Sequence, residues 1–308
     1  MPLVSVIMNV RNGEAFLREA LNSVLSQAVT DWELIVWDDC STDNSAQIIA
    51  EYTDPRVRYF LSPEDTPLGK ARDAAVRQAT GTWLAFLDQD DVWLPYKLET
   101  QLALAAEGVG MIYGRTVMFN SHHGKLRDYD YAHEFTDLPE GDIFAQLFTD
   151  ACFIAMSSAM LLRSAVEEIG GIPATIAVAP DYYLYAAIAS RYRVRAVQEV
   201  VCLYRLHPGS MSQKNRVQLQ QEPMLIVDQW AGSLDPRIVA YRRMTYSSAL
   251  AWEEMRSLRT LPAGLLRLIS KGSLLWLISR PPVHAWRALQ RQMRRPRWMA
   301  MDSASDPH

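Results

Sequence analysis

Residues 82–95 read TWLAFLDQDDVWLP. The apolar run 83–87 is too short for a helix and reads as a buried strand. Three carboxylates follow within four residues, Asp88, Asp90 and Asp91. Acidic side chains are poor strand formers, so the chain leaves the sheet there, and Pro95 marks the next helix start. Loops at the carboxyl ends of strands are where open α/β sheets hold ligands. Hard oxygen donors in such a loop suit Mg²⁺ or Mn²⁺, ions that offset the charge of a diphosphate. A bare D-x-D pattern describes a solvated acidic turn equally well, so its meaning rests on the surrounding chain.

Upstream, strand and helix patterns alternate. Residues 3–8, 32–37 and 57–61 are strand-like, and 14–27 and 69–79 have helical spacing. In 14–27, Phe16, Leu17, Leu21, Val24 and Leu25 share one side. After the second strand come Asp38, Asp39, Cys40, Ser41, Thr42 and Asp43, where Ser41 or Thr42 is expected to cap a helix running to about Tyr52. Strands separated by helices of this length indicate βαβ units and a parallel sheet. Downstream the pattern is less regular. Helices are expected at 94–106, 142–148, 164–169 and 181–190, strands at 111–119, 152–162 and 194–204, and a loop at 122–138. Beyond Pro208 the chain reads as helical, over 217–230, 236–259, 261–279 and 283–293.

The chain has 308 residues, 49% of them apolar and 21% charged, enough to bury a sizeable core. Its three cysteines, Cys40, Cys152 and Cys202, are too scattered for a disulfide framework or a paired-ligand metal site, which points to a reducing cytoplasm. No basic leader precedes the first strand, and no apolar run approaches the roughly 20 residues that span a bilayer. The net charge of −4 conceals an asymmetry: residues 256–297 hold ten Lys and Arg and no Asp or Glu. The remainder is acidic, so the basic segment is set for a different partner.

The segments VSVIMNVRNGE (4–14), ELIVWDDCSTDNS (33–45), GKARDAA (69–75) and FLDQDDVWLP (86–95) occur in that order, followed by IGGIP (169–173), PDYYLY (180–185) and YRLHPGSMS (204–212). This ordered set resembles the family 2 glycosyltransferases over residues 3 to about 212. The resemblance implies a GT-A fold, a Rossmann-like, mostly parallel sheet flanked by helices. It divides the chain into a catalytic domain at 1–212 and a helical, basic extension at 213–308. Within the catalytic domain, 1–95 is the nucleotide-sugar half and 96–212 the acceptor half.

The resemblance also implies roles. Asp38 and Asp39 hold the nucleotide base, where a carboxylate accepting the uracil N–H favours uridine. Arg72, in Ala71-Arg72-Asp73, contacts a carboxylate or phosphate; Asp73 stands where the family has Asn. Asp88 faces the ribose and metal-bound groups, Asp90 ligates a divalent ion, Mn²⁺ or Mg²⁺, and His207 approaches the metal or diphosphate. Asp181 deprotonates the acceptor hydroxyl, so that direct attack inverts the anomeric configuration. Pro180 replaces a usual glutamate, Asn9 stands where proline is usual, and Arg11 where an aromatic side chain often stacks on the base. Read alone, Asp181 is a helix N-cap, Arg72 a solvated helix arginine and His207 a loop histidine.

The expected partners are a nucleotide sugar, UDP-linked by preference, and a glycan or lipid-linked acceptor in surface polysaccharide assembly. Nucleic acid is disfavoured, because the body is acidic and carries no recognised binding motif. Residues 261–298, basic and interspersed with Trp286, Trp298 and apolar runs, resemble an interfacial amphipathic region, which suits an enzyme peripheral on the inner face of the cytoplasmic membrane. Two rival readings remain at this level: a nucleotidyltransferase, which releases pyrophosphate and needs no base at Asp181, and a nucleotide-sugar binding protein without turnover.

Overall fold

The computed structural model describes residues 2–120, 126–130, 137–150 and 152–258. In chain order the elements are β1 (Val4–Val10), α1 (Leu17–Leu25), β2 (Trp32–Asp38), α2 (Ser45–Ala50), β3 (Val57–Leu61), α3 (Leu68–Val76), β4 (Trp83–Phe86) and β5 (Val92–Trp93). They continue with α4 (Lys97–Leu102), β6 (Val109–Asn120), β7 (Leu126–Asp130), α5 (Phe144–Thr149), β8 (Met160–Leu162), α6 (Arg163–Glu168), α7 (Pro180–Ala189) and β9 (Arg193–Leu206). Helices α8 (Met211–Lys214), α9 (Gln218–Gln229) and α10 (Pro236–Leu258) close the described chain.

The strands form one sheet in the order β3-β2-β1-β4-β8-β6-β9-β5, with β7 added to β6. β3, β2, β1 and β4 are parallel. β8 runs antiparallel to both β4 and β6, while β6 and β9 are parallel. Strand β1 lies between β2 and β4 and is thus the point where the winding reverses, with a crevice outside the carboxyl ends of the strands.

Hydrophobic patterning explains this core. In β1 all residues but Asn9 are buried, as expected of a strand covered on both faces. Val4, Val6, Met8 and Val10 pack with Leu34 and Val36 of β2 and with Leu17, Ala20, Leu21 and Val24 of α1. Fully burying each large aliphatic side chain contributes roughly 1.5–3 kcal/mol. Trp83, Ala85 and Leu87 extend the same cluster to the edge of the acidic loop.

Several sequence expectations change. Asn9 and Val10, beyond the strand expected at 3–8, continue β1, because β2 runs on to Asp38 and pairs with them: Asn9 lies opposite Trp37 and Val10 opposite Asp38. The expected strand 152–162 reduces to β8, preceded by a 3₁₀ turn at Met156–Ser158 whose Ser157 is drawn into bonds with the acidic loop. Within the expected loop 122–138, residues 126–130 form β7, paired with the long outer half of β6; the remaining residues up to 136 lie outside the described residues. Ser41 and Thr42 do not cap α2. Their groups bond Asn12, and Asp43 Oδ1 instead accepts the Ser45 N–H at 2.9 Å.

Residues 1–249 gather into one compact unit and 250–308 into a second, of which only the end of α10 is described. Residues 213–249, assigned from sequence to the extension, fall within the first of these units. Arg242 is buried and donates to the carbonyls of Phe148 and Thr149, and Trp230 packs against Phe144, Phe148 and Tyr183. The expected helices at 261–279 and 283–293, and the candidate surface 261–298, lie outside the described residues. No helix among the described residues is long and apolar enough to cross a membrane.

Candidate active site

Four loops meet at the carboxyl ends of β1, β2, β4 and β9. The first is tied to the second: Asn12 N–H donates to Ser41 Oγ (3.0 Å), Gly13 N–H to Ser45 Oγ (2.9 Å) and Glu14 N–H to Asp43 Oδ2 (3.0 Å). Cys40 and Asn12 both adopt positive φ, 58° and 50°. That conformation is unusual for cysteine, and such strain clusters at functional loops.

Asp38 and Asp39 are both buried, in different roles. Asp38 Oδ1 accepts the Ser41 N–H (2.8 Å) and Oδ2 accepts the Tyr59 hydroxyl (2.9 Å), so the protein engages both oxygens. Asp39 accepts the Thr66 hydroxyl (3.1 Å) and a guanidinium N–H of Arg11 (3.3 Å). Arg11 is half-exposed and also donates to Asp65 Oδ2 (2.6 Å), so it spans the mouth of the β1 and β2 loops. Asn9 sits beneath, and neither its amide oxygen nor its nitrogen has a hydrogen-bond partner among the described residues although both are buried. The indole N–H of Trp37, beside it in the ladder, is likewise unpartnered.

The loop after β4 divides its three carboxylates. Asp91 is buried: Oδ2 accepts the Ser157 hydroxyl (2.5 Å) and Oδ1 the Arg205 N–H (2.9 Å). Burial and the neighbouring Asp90 and Asp88 push its carboxyl well above the usual range. It is a clasp rather than a ligand. Asp90 and His207 meet at 2.8 Å, both mostly buried, and Phe16 stands edge-on to the imidazole. Arg205, buried between the rings of Phe16 and Phe119, donates to the Asp90 carbonyl (2.7 Å) and to Glu19 (2.8 Å). It thereby anchors the backbone on either side of the Asp90–His207 pair.

Asp88 accepts a hydrogen bond from Arg72 Nη2 at 2.6 Å. Arg72 is a buried residue of α3, not a solvated one. Asp181 lies in the same electrostatic field. Burial pushes its carboxyl above the usual carboxylate range, and Arg72 pulls the other way. Asp181 is not the N-cap of α7. That position belongs to Ala179, followed by Pro180, and the Asp181 carboxylate accepts the N–H of Tyr182 (2.8 Å) from within the first turn. Asp73 turns away from Arg72: it accepts the Ile172 N–H (3.1 Å) and pairs with Arg77 (2.8 Å). An acid at that position holds a loop and leaves the arginine's charge intact.

Two carboxylates and an imidazole are the donor chemistry of a divalent-cation site. Asp90 and His207 converge and Asp88 is held by Arg72, although among the described residues no three His, Cys, Asp or Glu side chains stand together as a ready ligand set. The sequence-level candidates thus assemble as Arg11 with Asp39, Asp90 with His207, and Asp88 with Arg72 and Asp181. Sequence reasoning missed Ser157, Arg205 and Asp73 as the parts that position them. Only Arg205 had a signal, its place two residues before His207.

Comparison with known proteins agrees with this architecture. The family model described as glycosyl transferase family 2 matches residues 5–170. The chain is 31% identical over 214 residues to the UDP-Glc:alpha-D-GlcNAc-diphosphoundecaprenol beta-1,3-glucosyltransferase WfaP of Escherichia coli, covering 69% of this chain and 80% of that protein. It is 28% identical over 225 residues to WfgD, an Escherichia coli protein of the same description, covering 71% and 83% respectively. Among solved structures, the mannosyltransferase PcManGT from Pyrobaculum calidifontis in complex with GDP-Man and Mn²⁺ superposes with a TM-score of 0.63 at 20% identity, over 95% of this chain and 85% of that one.

Proposed function

The chain belongs to the family 2 glycosyltransferases and has their GT-A fold, and from that premise we propose that it moves a sugar from a UDP-linked donor to a lipid-diphosphate-linked glycan, inverting the anomeric centre, with Asp181 as base. The observation that carries the reading is Asp181 itself. It comes from the far half of the sequence yet shares the field of Arg72 with Asp88, on the carboxyl-end loop of β4.

The chemistry follows from the residues. The acceptor hydroxyl attacks the anomeric carbon, its proton passes to the Asp181 carboxylate, and the bond from that carbon to the diphosphate oxygen breaks, its electron pair leaving with UDP. A carboxylate held half-buried above its ordinary pKa is a stronger base than one in water. Arg72, fixed by Asp88, supplies positive charge beside the departing diphosphate. Arg11 and Asp39 offer a planar cation and an acceptor for the base, and the unpartnered amide of Asn9 adds a donor and an acceptor nearby. A divalent ion would be held by Asp90 and His207 with Asp88, and when bound it offsets the negative charge that develops on the diphosphate.

The donor and acceptor classes rest on the descriptions of WfaP and WfgD. Two variants test the site in one experiment, using UDP binding by calorimetry in Mn²⁺ beside transfer kinetics. Asp181→Asn is expected to bind UDP like the parent and to lose ~10²–10⁴ in kcat. Asp90→Ala is expected to lose the Mn²⁺-dependent part of UDP affinity while remaining folded. An Asp181→Asn enzyme that turns over at the parental rate removes the base assignment, and unchanged Mn²⁺-dependent affinity in Asp90→Ala removes the metal assignment.

A further inference from the structure

The segment 172–179, which leads into α7 and Asp181, is gripped from two sides. On one side is α3. The Ile172 N–H donates to Asp73 Oδ1 (3.1 Å), and the Gly69 N–H donates to the Ala177 carbonyl (3.0 Å). Contact there is close enough that a Cβ on Gly69 would stand 1.9 Å from the Ile176 carbonyl oxygen, so only glycine fits. On the other side is a single carboxylate, Glu222 of α9, which is 7% exposed. Its Oε1 accepts the N–H of Ala177 (3.0 Å), and its Oε2 accepts those of Val178 (2.8 Å) and Ala179 (2.8 Å).

These three N–H groups are the last before Pro180, which has none to offer, and Asp181 follows directly. Hydrogen bonds to an ionised acceptor are about twice as strong as neutral ones, and a helix N-terminus favours a negative charge. One carboxylate therefore sets both the path of the backbone into α7 and the angle at which the helix starts. Because α3 also carries Arg72, the two grips fix Asp181 relative to the guanidinium whose field it shares.

We propose that Glu222 is a positioning residue for transfer: through the N–H groups of Ala177, Val178 and Ala179 it holds Asp181 at the acceptor hydroxyl, so that a residue beyond the part of the chain matched by the family model is required for turnover. This rests on Asp181 being the base. Among the described residues the hydrogen bonds of Glu222 go to Ala177, Val178 and Ala179 and to none of the loops that would bind the nucleotide, so its loss affects the chemical step and leaves donor binding alone. A displacement of about 1 Å in a reacting group can cost ~10² in rate.

The test is a double-mutant cycle on the full chain, with Glu222→Gln, Asp181→Asn and the pair, at a temperature well below each variant's Tm. The readouts are kcat with UDP-glucose and a synthetic α-GlcNAc-diphospholipid, and UDP affinity in Mn²⁺. Glu222→Gln keeps the shape but places an amide N–H₂ against backbone N–H donors. It is expected to lower kcat by ~10-fold or more, with UDP affinity within about 2-fold of the parent, and to lower kcat by less than about 2-fold when Asp181 is already Asn, since coupled residues are non-additive. Glu222→Asp, which keeps the charge with a shorter reach, should recover part of the lost kcat, and it carries the same comparison if the glutamine variant does not fold.

A lowered Tm with parental kcat, an equal loss in the Asp181→Asn background, or failure of both Glu222 variants to give a folded chain would overturn the proposal and leave Glu222 a stability residue. Parental turnover by Asp181→Asn alone is a separate result, one that overturns the base assignment and this proposal with it.

Discussion

At the scale of single residues, the site is a set of carboxylates sorted by what surrounds them. Asp91 is consumed by Ser157 and Arg205, Asp90 faces His207, Asp88 is bound by Arg72, and Asp181 is raised by burial against the pull of Arg72. A base must be ionised to accept a proton. With a folded pKa above the ordinary carboxylate value, Asp181, the proposed base, loses its charge when pH falls through that raised value, while an exposed aspartate would still be ionised. The kcat–pH profile of the parent enzyme is therefore expected to bend downward on its acid side at a pH above the usual carboxylate range, and Asp181→Asn should lack that limb. A parental profile flat down to the ordinary carboxylate range would contradict the assignment. Asp88, Asp90 and Asp181 were legible from sequence because each lies in a short pattern. Asp73 and Glu222 were not, because what they hold is backbone N–H: Asp73 that of Ile172, Glu222 those of Ala177, Val178 and Ala179. A side chain whose partner is a distant main-chain group leaves no pattern in its own neighbourhood.

At the scale of elements, strands β1, β2 and β4 were readable because each is a mostly apolar run buried on both faces. β3, at the sheet edge, is half-exposed and was readable from its short β-branched and aromatic run. The chain after β5 was less so. β8 is only three residues long, and β7 is recruited by pairing with β6 rather than by its own composition. Helix α4, under the acidic loop, carries a feature that sequence does not announce. Lys97 is fully buried, donates to Gln101 (2.6 Å) and lies over the ring of Trp93, whose indole N–H bonds the Ser157 carbonyl (2.6 Å). Burial pulls the Lys97 amine down from its ordinary value to about 7. Between that pH and the unfolded value near 10, the unfolded chain binds a proton that the folded chain does not, so stability rises with pH through this window. Lys97→Met, which removes the titration and keeps an unbranched stem of similar length, is expected to raise Tm most at pH 7 and progressively less towards pH 9. Parallel Tm–pH curves for parent and variant would show that Lys97 does not titrate there.

At the scale of the whole molecule, the reversal of winding at β1 opens a crevice at the carboxyl ends of β1, β2 and β4, and β9 brings His207 to the same end. The remainder of the compact unit closes behind it, with α9 and the first part of α10 packed on α5, α7 and the segment before α7 through Glu222, Trp230 and Arg242. That closure was not readable in advance. The boundary drawn near residue 212 followed a change in pattern, whereas the contacts that join 213–249 to the body are single buried polar groups. Sugar transfer in this assembly is proposed to be a direct displacement. The measurement that tests it most directly is the anomeric configuration of the product formed from α-linked UDP-glucose, with UDP-GlcNAc and UDP-galactose beside it, and the α-GlcNAc-diphospholipid acceptor in Mn²⁺, read by the proton coupling of the new linkage. A β-linked product with release of intact UDP is expected; an α-linked product, or release of pyrophosphate in place of UDP, would rule out direct displacement.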